Sequence, residues 1–464
     1  MVRLYELAEP IQENQFTALR ESLEGLQGNI LRGHGRDRSI HIFLSFNNGK
    51  TTDAKVKEWI KGLAERLTSA QQQLPETKQY RDHHISGRLF MNFFLSAKGY
   101  EYLYPSQKDK LRFNDEAFLR GMKAAQHRLN DPPKGAWEAG YQHDIHAMVL
   151  LADDNATHLL QEANKLIDDI KTHAEIWAVE HGRVMWHGQD SIEHFGFVDN
   201  RSQLLLFQSD IERARQERYG ASVWNPGAGP NVVLVPDPYG RECDSGSYLV
   251  FRKLEQHVRA FKEHEQKLAQ TLGLTGEEAK RAGALVMGRF EDGTPVVLRP
   301  VAGQSTNNFT YDDDPYGQKC PFQAHIRKVN PRTPGIPRIV RRGITYGERQ
   351  KGPRDNPSLA ELPVGGVGLL FMCYQKNIAQ QFEALQYLWA SDPRLPRGQA
   401  PGIDPVIGQP GGNGAGQQKW PAQWDAPREQ HIPFDFHGFV TFKGGEYFFA
   451  PSIYFLRNIE KAIA

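Results

Sequence analysis

One histidine of this chain, His325, lies within a dense run of cationic side chains. It follows Cys320-Pro-Phe-Gln-Ala and is followed by Arg327, Lys328 and Arg332. A neutral imidazole is a common ligand of iron, and guanidinium and ammonium groups can neutralise the acid groups of an anionic cofactor. Haem combines an iron ion with acid groups, so this segment predicts a haem site.

Two other segments carry side chains that could act on a substrate bound to that iron. The stretch Arg338-Ile-Val-Arg-Arg-Gly-Ile-Thr-Tyr-Gly347 alternates apolar and basic residues, which is typical of a half-buried strand. Because successive side chains of a strand point to opposite faces, only one of Arg341 and Arg342 can face inward. The stretch Glu-His-Phe-Gly-Phe-Val-Asp-Asn at 193–200 offers a carboxylate, Asp199, after aromatic and apolar neighbours.

These segments resemble the dye-decolourising peroxidases, a family of haem peroxidases, and specifically its long-chain branch. Further motifs follow in family order: Gln27-Gly-Asn-Ile-Leu-Arg-Gly-His-Gly35, Val233-Leu-Val-Pro-Asp-Pro238, Gly246-Ser-Tyr-Leu-Val-Phe-Arg-Lys-Leu254, Gly368-Leu-Leu-Phe-Met-Cys-Tyr-Gln375 and Asp404-Pro-Val-Ile-Gly-Gln409. The resemblance implies an α+β fold of two ferredoxin-like halves, with antiparallel sheets and peripheral helices. It also implies that haem lies mainly in the C-terminal half.

The resemblance gives several residues a role in holding the cofactor. His325 matches the axial ligand of the iron in one haem b per chain, and Asp404 matches the carboxylate that accepts a hydrogen bond from the far imidazole nitrogen. Arg327 is the expected partner of the haem propionates, and Leu369 and Phe371 are expected to roof the distal pocket. The ordinary alternatives are a capped or solvent-facing histidine, a turn aspartate, a surface arginine and simple core packing.

By the same resemblance, Asp199 is the distal acid and Arg341 is the distal arginine. An ionised carboxylate can accept a proton from one oxygen of hydrogen peroxide and return it to the other, while a guanidinium stabilises the developing negative charge. The expected function is a haem peroxidase that reduces hydrogen peroxide and oxidises dyes, phenolics or similar aromatic reductants through a ferryl intermediate. Without the family, Asp199 would be a turn residue or helix cap, and Arg342 is best interpreted as a solvated surface arginine.

The distal loop departs from the family at one position. The family signature is Gly-x-x-Asp-Gly, whereas Gly196-Phe-Val-Asp199 is followed here by Asn200. Asparagine tolerates a positive φ angle better than most residues, so we expect the loop to keep its shape. The departure leaves a second hypothesis open, a non-enzymatic haem-binding or iron-handling protein of the same fold.

Two minor hypotheses concern other side chains. Bulky dyes cannot enter a tight pocket, so an aromatic residue could relay electrons from the surface, with Trp389 as the first choice and Tyr387 as the second. His181, His187 and His194 could suggest a metal site. Their spacings of six and seven residues match no compact zinc motif, so this site is disfavoured.

The whole chain sets limits on its class. Its 464 residues suit two subdomains, placed at 1–205 and 206–464, and the 56 basic against 55 acidic residues give no general reason to expect nucleic acid or a membrane as partner. The family resemblance implies hydrogen peroxide and aromatic reductants as partners, and a homodimer as the assembly. The three dispersed cysteines indicate a reducing compartment, and the sequence shows neither a signal peptide nor a membrane segment, so we expect a cytoplasmic protein.

Hydrophobic periodicity predicts the elements that position these residues. Alternation predicts strands at 39–47, 87–95, 143–152, 176–186, 248–254, 338–346 and 366–374, with a final strand pair at 438–449 turned at Gly444-Gly445. Helical spacing predicts helices at 51–73, 155–171, 255–272, 275–287 and 377–390. The glycine-rich stretch 398–418 is predicted to be a surface loop.

Overall fold

The computed structural model describes residues 2–46, 49, 51–83, 85–216, 220–412 and 414–461. Its strands are β1 (Arg38–Ser45), β2 (Phe90–Leu95), β3 (Ala147–Asp153), β4 (Glu175–Arg183), β5 (Met185–His187), β6 (Asp190–Ile192), β7 (Val235–Pro236), β8 (Ser245–Gln256), β9 (Val340–Arg341), β10 (Ile344–Tyr346), β11 (Gly368–Gln375), β12 (Lys419–Trp420), β13 (Ile432–Pro433) and β14 (Val440–Ala450). Residue 47, the end of the first predicted strand, lies outside the described residues.

The α-helices lie mainly between strands in the chain. They are α1 (Phe16–Gly25), α2 (Asp53–Ala64), α3 (Ala70–His83), α4 (Ala97–Leu103), α5 (Glu116–Arg120), α6 (Met122–Leu129), α7 (Ala156–Ile170), α8 (Gln208–Gln216), α9 (Val258–Thr271), α10 (Lys280–Met287), α11 (His325–Val329) and α12 (Ile453–Arg457). Two π-helical stretches follow β11, at Ala379–Glu383 and Leu385–Ala390. Short 3-10 helices lie at Leu4–Glu6, Glu13–Gln15, Pro105–Lys110, Lys134–Ala136, Ala139–Gln142, Pro230–Val232, Gly276–Ala279, Leu359–Glu361 and Arg428–Gln430.

Strands from both halves of the chain form one antiparallel sheet that closes on itself. The order is β7-β8-β14-β2-β3-β1-β4-β10-β11-β9, and β8 also pairs with β11. This extra pairing turns the eight strands from β8 to β11 into a barrel, which leaves those strands without an open edge. The α+β class with antiparallel strands and peripheral helices is confirmed, and the two halves share a single barrel.

The helices cover the barrel because their apolar residues recur on one side. In α7, the buried residues Leu159, Ala163, Leu166 and Ile170 follow helical spacing, and the helix packs against β1 and β3. Its first turn is capped by Asn155, whose side chain accepts a hydrogen bond of 3.0 Å from the backbone N–H of His158. A second buried cluster, which includes Ala324 next to His325, forms around α9 and α10.

Four predicted elements differ from the structure. The strand predicted at 176–186 ends at Arg183, and the separate strand β5 follows it in another sheet. The helix predicted at 51–73 ends at Ala64, and a new helix starts at Ala70. The strand predicted at 338–346 is interrupted after Arg341 and resumes at Ile344. The predicted terminal strand pair is wrong, because Val440–Ala450 forms one strand with a bulge between Phe442 and Gly444 rather than a turn.

No helix of the described residues is both long and apolar enough to cross a lipid bilayer. The cysteines Cys243, Cys320 and Cys373 are free thiols, and all three are buried.

Candidate functional site

His325 stands at the first position of the short helix α11. The next residue, Ile326, packs against the C-terminal end of α10, where Gly288 adopts a φ angle of +92°. A side chain at Gly288 would collide with Ile326 and would also be strained at that φ angle. This close approach of the two helices fixes the backbone that carries the imidazole.

The imidazole of His325 is held on one side only. Its Nδ1 atom lies 2.8 Å from Oδ2 of Asp404, whose carboxylate is fully buried. Among the described residues no group bonds the other ring nitrogen, Nε2, and 19 % of the His325 side chain is accessible. An N–H at Nδ1 that donates to a carboxylate places the lone pair on Nε2, which is the arrangement of a metal-ligating histidine.

Asp404 is fixed by hydrogen bonds from its own loop. Its Oδ1 atom accepts from the backbone N–H groups of Val406 and Ile407 at 2.8 and 2.9 Å. Its own N–H donates to the carbonyl of Ala390, at the end of the second π-helical stretch, and its carbonyl accepts from Gly408. Both carboxylate oxygens therefore have hydrogen-bond partners, and the orientation toward His325 is set before any ligand binds.

The side chains of Arg341 and Arg342 point to opposite faces of the sheet, as the alternation predicts. The Nη2 atom of Arg341 lies 3.5 Å from the carbonyl oxygen of Ser202, which it reaches as a donor. Arg342 instead donates to the carbonyls of Asn29 and Ile30, on the other side, and to that of Arg341. The interpretation of Arg342 as a solvated surface arginine is wrong, because its half-buried guanidinium donates to three backbone carbonyls. Burial lowers its pKa to about 10.

Leu369 and Phe371 share the face of the sheet that carries Arg341. Arg341 lies opposite Cys373 in the β9–β11 pair, and residues 369 and 371 follow on the same side of β11. Both side chains are half-buried, whereas Leu370 and Met372 on the opposite face are buried. Partial exposure at alternate positions indicates that this face borders open space.

The loop that carries Asp199 lies against Arg341. Asn200 has a φ angle of +60°, so the expected left-handed backbone is confirmed. Its side-chain oxygen accepts a hydrogen bond from Gln203, whose own oxygen accepts from the backbone N–H of Arg341. Asp199 is half-buried, and its Oδ1 atom accepts from the N–H of Asn200 at 2.6 Å. The distal acid and the distal arginine of the sequence prediction thus lie on directly connected segments.

The contacts of Arg327 do not support the propionate role predicted for it. Its guanidinium is buried and forms a salt bridge of 2.6 Å with Asp314, and it also donates to the carbonyls of Asp314 and Cys320. The neighbouring Lys328 is equally occupied, because its ammonium donates to three backbone carbonyls at 2.5 to 2.9 Å. Both cations hold the polypeptide around His325 together.

Two other arginines, Arg289 and Arg332, are buried. Arg289 and Arg332 both donate to the side-chain oxygen of Asn307, at 3.0 and 2.6 Å, and to the hydroxyl of Ser202. Among the described residues neither forms a salt bridge, and burial lowers their pKa values to about 10 and about 9. Ser202 also contacts Arg341, so three guanidinium groups converge there.

The sequence prediction missed Arg289. Its position directly after the helix-ending Gly288 was an available signal, but nothing local showed that it would be buried. Arg332 was noted only as one cation of the run around His325.

The remaining sequence candidates lie elsewhere. His181 and His187 are exposed, whereas His194 is buried with its Nε2 atom 2.8 Å from the carbonyl oxygen of Tyr346. Over the described ranges, no three His, Cys, Asp or Glu side chains converge as metal ligands would. Tyr387 is exposed and Trp389 is half-buried, so both are near the surface, and their relay role stays a prediction.

Comparison with known proteins identifies the class of this site. Residues 25–184 match the model of the DyP dimeric alpha+beta barrel domain, and residues 228–395 match that of the C-terminal domain of Dyp-type peroxidases. The chain belongs to the family of dye-decolourising peroxidases, as its motifs predicted.

Individual relatives extend over nearly the whole chain. The multifunctional dye peroxidase DyP2 of Amycolatopsis sp. (strain ATCC 39116 / 75iv2) is 39 % identical over 94 % of this chain and 96 % of its own. The crystal structure of DyP2 has a TM-score of 0.91 at 38 % identity and covers 98 % of this chain and 100 % of its own. The DyP-type peroxidase of Anabaena sp. has a TM-score of 0.88 at 42 % identity, with 98 % of each chain covered. This protein is accordingly a peroxidase, and its cofactor is haem.

The geometry fits that cofactor. A histidine with one nitrogen bound to a buried carboxylate leaves the other nitrogen for iron. The buried guanidinium groups of Arg289 and Arg332 have no acidic partner among the described residues, and the two carboxylates of a haem would supply one.

Proposed function

We propose that His325 would hold the iron of one haem b per chain and that Asp199 and Arg341 would act on hydrogen peroxide. The observation that carries this proposal is the His325–Asp404 pair, because it leaves a single imidazole nitrogen oriented for iron. Leu369 and Phe371 would then form the roof of the peroxide pocket. The ring would lie mainly in the C-terminal half.

The chemistry divides between cofactor and protein. When bound, haem supplies the two-electron reduction of hydrogen peroxide. The carboxylate of Asp199 would accept a proton from one oxygen of hydrogen peroxide and return it to the other. The guanidinium of Arg341 stabilises the negative charge that develops as the O–O bond breaks. Asp404 keeps the proton of His325 on Nδ1.

For the acid groups of the cofactor, Arg332 and Arg289 are better supported than Arg327. Arg327 already has a buried carboxylate partner, Asp314, at 2.6 Å. Breaking that pair would leave Asp314 buried and unpaired, which costs about 3–5 kcal/mol. Arg332 and Arg289 gain a partner when a propionate binds.

We also propose the reductants, the subdomain boundary, the assembly and the location of the protein, which the geometry of the site does not determine. The reductants are dyes, phenolics and similar aromatic compounds, and the two subdomains divide between residues 205 and 206. A homodimer is supported by the dimeric barrel domain whose model the chain matches, and a cytoplasmic location is supported by three buried free thiols. The alternative of a passive haem-binding or iron-handling protein is not favoured by the relatives.

The test replaces the two distal residues and one matched arginine. Asp199→Asn and Arg341→Gln should each lower kcat/KM for hydrogen peroxide by about a hundredfold or more, since each removes one transition-state interaction. Arg338→Gln removes an exposed arginine of the same segment and should leave the rate unchanged. Stopped-flow spectra of the haem-loaded proteins give the rates.

Undiminished rates in both distal variants would contradict the assignment. A passive haem-binding protein would instead lose its Soret band to peroxide, with or without a reductant. His325→Ala should abolish the Soret band, both in the unmutated protein and in each of the other variants.

A further inference from the structure

A cavity of about 530 Å³ is lined by residues that precede His325 and Asp404 in the chain. One wall is formed by Phe322 and Gln323, just before His325 in the chain, and another by residues 399–401, just before Asp404. We call this cavity the rear cleft. It shares no lining residue with the face that carries Arg341, Leu369 and Phe371. Its volume is within the range of small-molecule binding sites.

The charge of the rear cleft is one-sided. Arg394, Lys419 and Arg428 line it, and none of its described lining residues is an aspartate or glutamate. Arg394 is neutralised by Asp392, which it contacts at 3.0 Å. Within the part of the chain that the structure describes, the guanidinium of Arg428 donates to the side-chain and backbone oxygens of Gln399, and neither Arg428 nor Lys419 forms a salt bridge. Two cations are therefore available to an anion in a chain whose overall charge is nearly balanced.

The cleft also offers apolar and aromatic surface. The guanidinium carbon of Arg428 lies 5.4 Å from the centre of the Phe322 ring, and that ring is half-buried. Pro393 and Pro401 add apolar wall. An aromatic ring can stack on proline, phenylalanine or guanidinium surfaces, while an acidic substituent pairs with Arg428.

We propose that the rear cleft binds an aromatic anion, a ring system that carries a sulfonate or carboxylate, and that it is the docking site of anionic reductants. This proposal rests on the proposed peroxidase function. A sulfonated dye is too bulky for a pocket that admits hydrogen peroxide, so it has to give up its electron outside that pocket. A ligand in the cleft contacts the two segments that carry His325 and Asp404. Two reductant molecules each lose one electron, and these electrons with two protons convert one hydrogen peroxide into two waters.

Binding is tested first, without peroxide, on the haem-loaded protein. The probe is anthraquinone-2-sulfonate, and isothermal titration calorimetry gives its Kd. Arg428→Gln should raise the Kd about tenfold or more, because it removes a charge-assisted hydrogen bond. Arg428→Lys should retain most of the affinity. Arg299→Gln, which removes an exposed arginine outside the cleft, should bind as the native protein does.

An unchanged Kd in Arg428→Gln, with an unchanged melting temperature, would overturn the binding site. An equal loss in Arg299→Gln would do the same, since it would show a general charge effect.

Turnover then tests the docking role. In Arg428→Gln, the KM for a sulfonated anthraquinone dye should rise about tenfold, while the KM for hydrogen peroxide and the turnover of an uncharged phenol stay unchanged. Weaker binding of the probe with an unaltered dye KM would overturn the reductant role. If the native protein oxidises neither dye nor phenol, the proposed function fails, and the calorimetry still decides whether the cleft binds aromatic anions.

Discussion

Asp404→Asn is the sharpest test of the proposed axial ligand, because the structure leaves the new amide no satisfactory orientation. The carboxylate of Asp404 has only acceptor atoms, and it receives two backbone N–H groups on Oδ1 and the imidazole on Oδ2. An asparagine has one acceptor oxygen and one donor NH₂ group. Either the NH₂ group faces His325 or it faces the backbone N–H groups of Val406 and Ile407.

Both orientations weaken iron binding. An NH₂ group that faces His325 requires Nδ1 to accept, which moves the imidazole proton to Nε2 and blocks ligation. The reverse orientation leaves two buried N–H donors unsatisfied, at about 1–3 kcal/mol each. Loss of such a carboxylate partner typically lowers metal affinity or activity by about 10- to 100-fold. We expect a decrease of that size in haem affinity, equal to about 1.4–2.7 kcal/mol.

The assay is titration of the haem-free protein with haemin, followed at the Soret band, together with peroxide turnover of the loaded protein. Asp237→Asn is the matched control. Asp237 is also a buried carboxylate, and it accepts from the backbone N–H groups of Tyr239 and Ser452 but contacts no histidine that the structure describes. Native haem affinity and turnover in Asp404→Asn would refute the proposed ligand geometry. A comparable loss in the control would show that general destabilisation is the cause.

Three further predictions concern buried cations and a buried imidazole. Arg342→Gln should lower the free energy of unfolding by about 2–4 kcal/mol in denaturant titrations, because it removes donors to the carbonyls of Asn29 and Ile30; equal stability would contradict this. Burial lowers the pKa of Lys328 to about 8, so between pH 8 and about 10 the unfolded chain binds more protons than the folded protein. Over that range the free energy of unfolding of the unmutated protein should rise by about 1.4 kcal/mol per pH unit relative to that of Lys328→Met. Burial lowers the pKa of His41 to about 3, so the free energy of unfolding should fall as the pH decreases from about 6.5. In His41→Gln, the slope of the free energy of unfolding against pH should be smaller by the uptake of about one proton. Parallel stability curves would refute either pH prediction.

Local periodicity predicted most strands of the barrel but could not predict how the barrel closes. Alternation found β1 and β11 within a few residues of their bounds, although β1 is buried on both faces and only β11 carries half-buried residues at alternate positions. Closure depends on the pairing of β8 with β11, whose partners Arg252 and Phe371 are far apart in the chain. A pairing over that separation is chosen by the packing of the whole sheet, and no local pattern encodes it.

The prediction of a terminal strand pair failed for a different reason. Gly444-Gly445 between two apolar runs is an ordinary turn signal. In the structure Gly444 instead lies against the ring of Tyr141, where a side chain would collide, and the strand continues through a bulge. Close packing requires the two glycines here, and the sequence alone cannot distinguish this requirement from a turn.

At the candidate site, the sequence likewise gave the residue types but not their partners in the fold. Sequence alone identified Arg327 and Arg332 as cations near His325 and gave no physical reason to separate them. The structure separates them through Asp314, which forms a salt bridge with Arg327 and, over the described ranges, with no other arginine. Arg332 is left to backbone and amide oxygens, where an anionic ligand gains the most. The positions of the protein's own carboxylates therefore decide which cations are available to a cofactor, and those positions follow from the fold rather than from the motif.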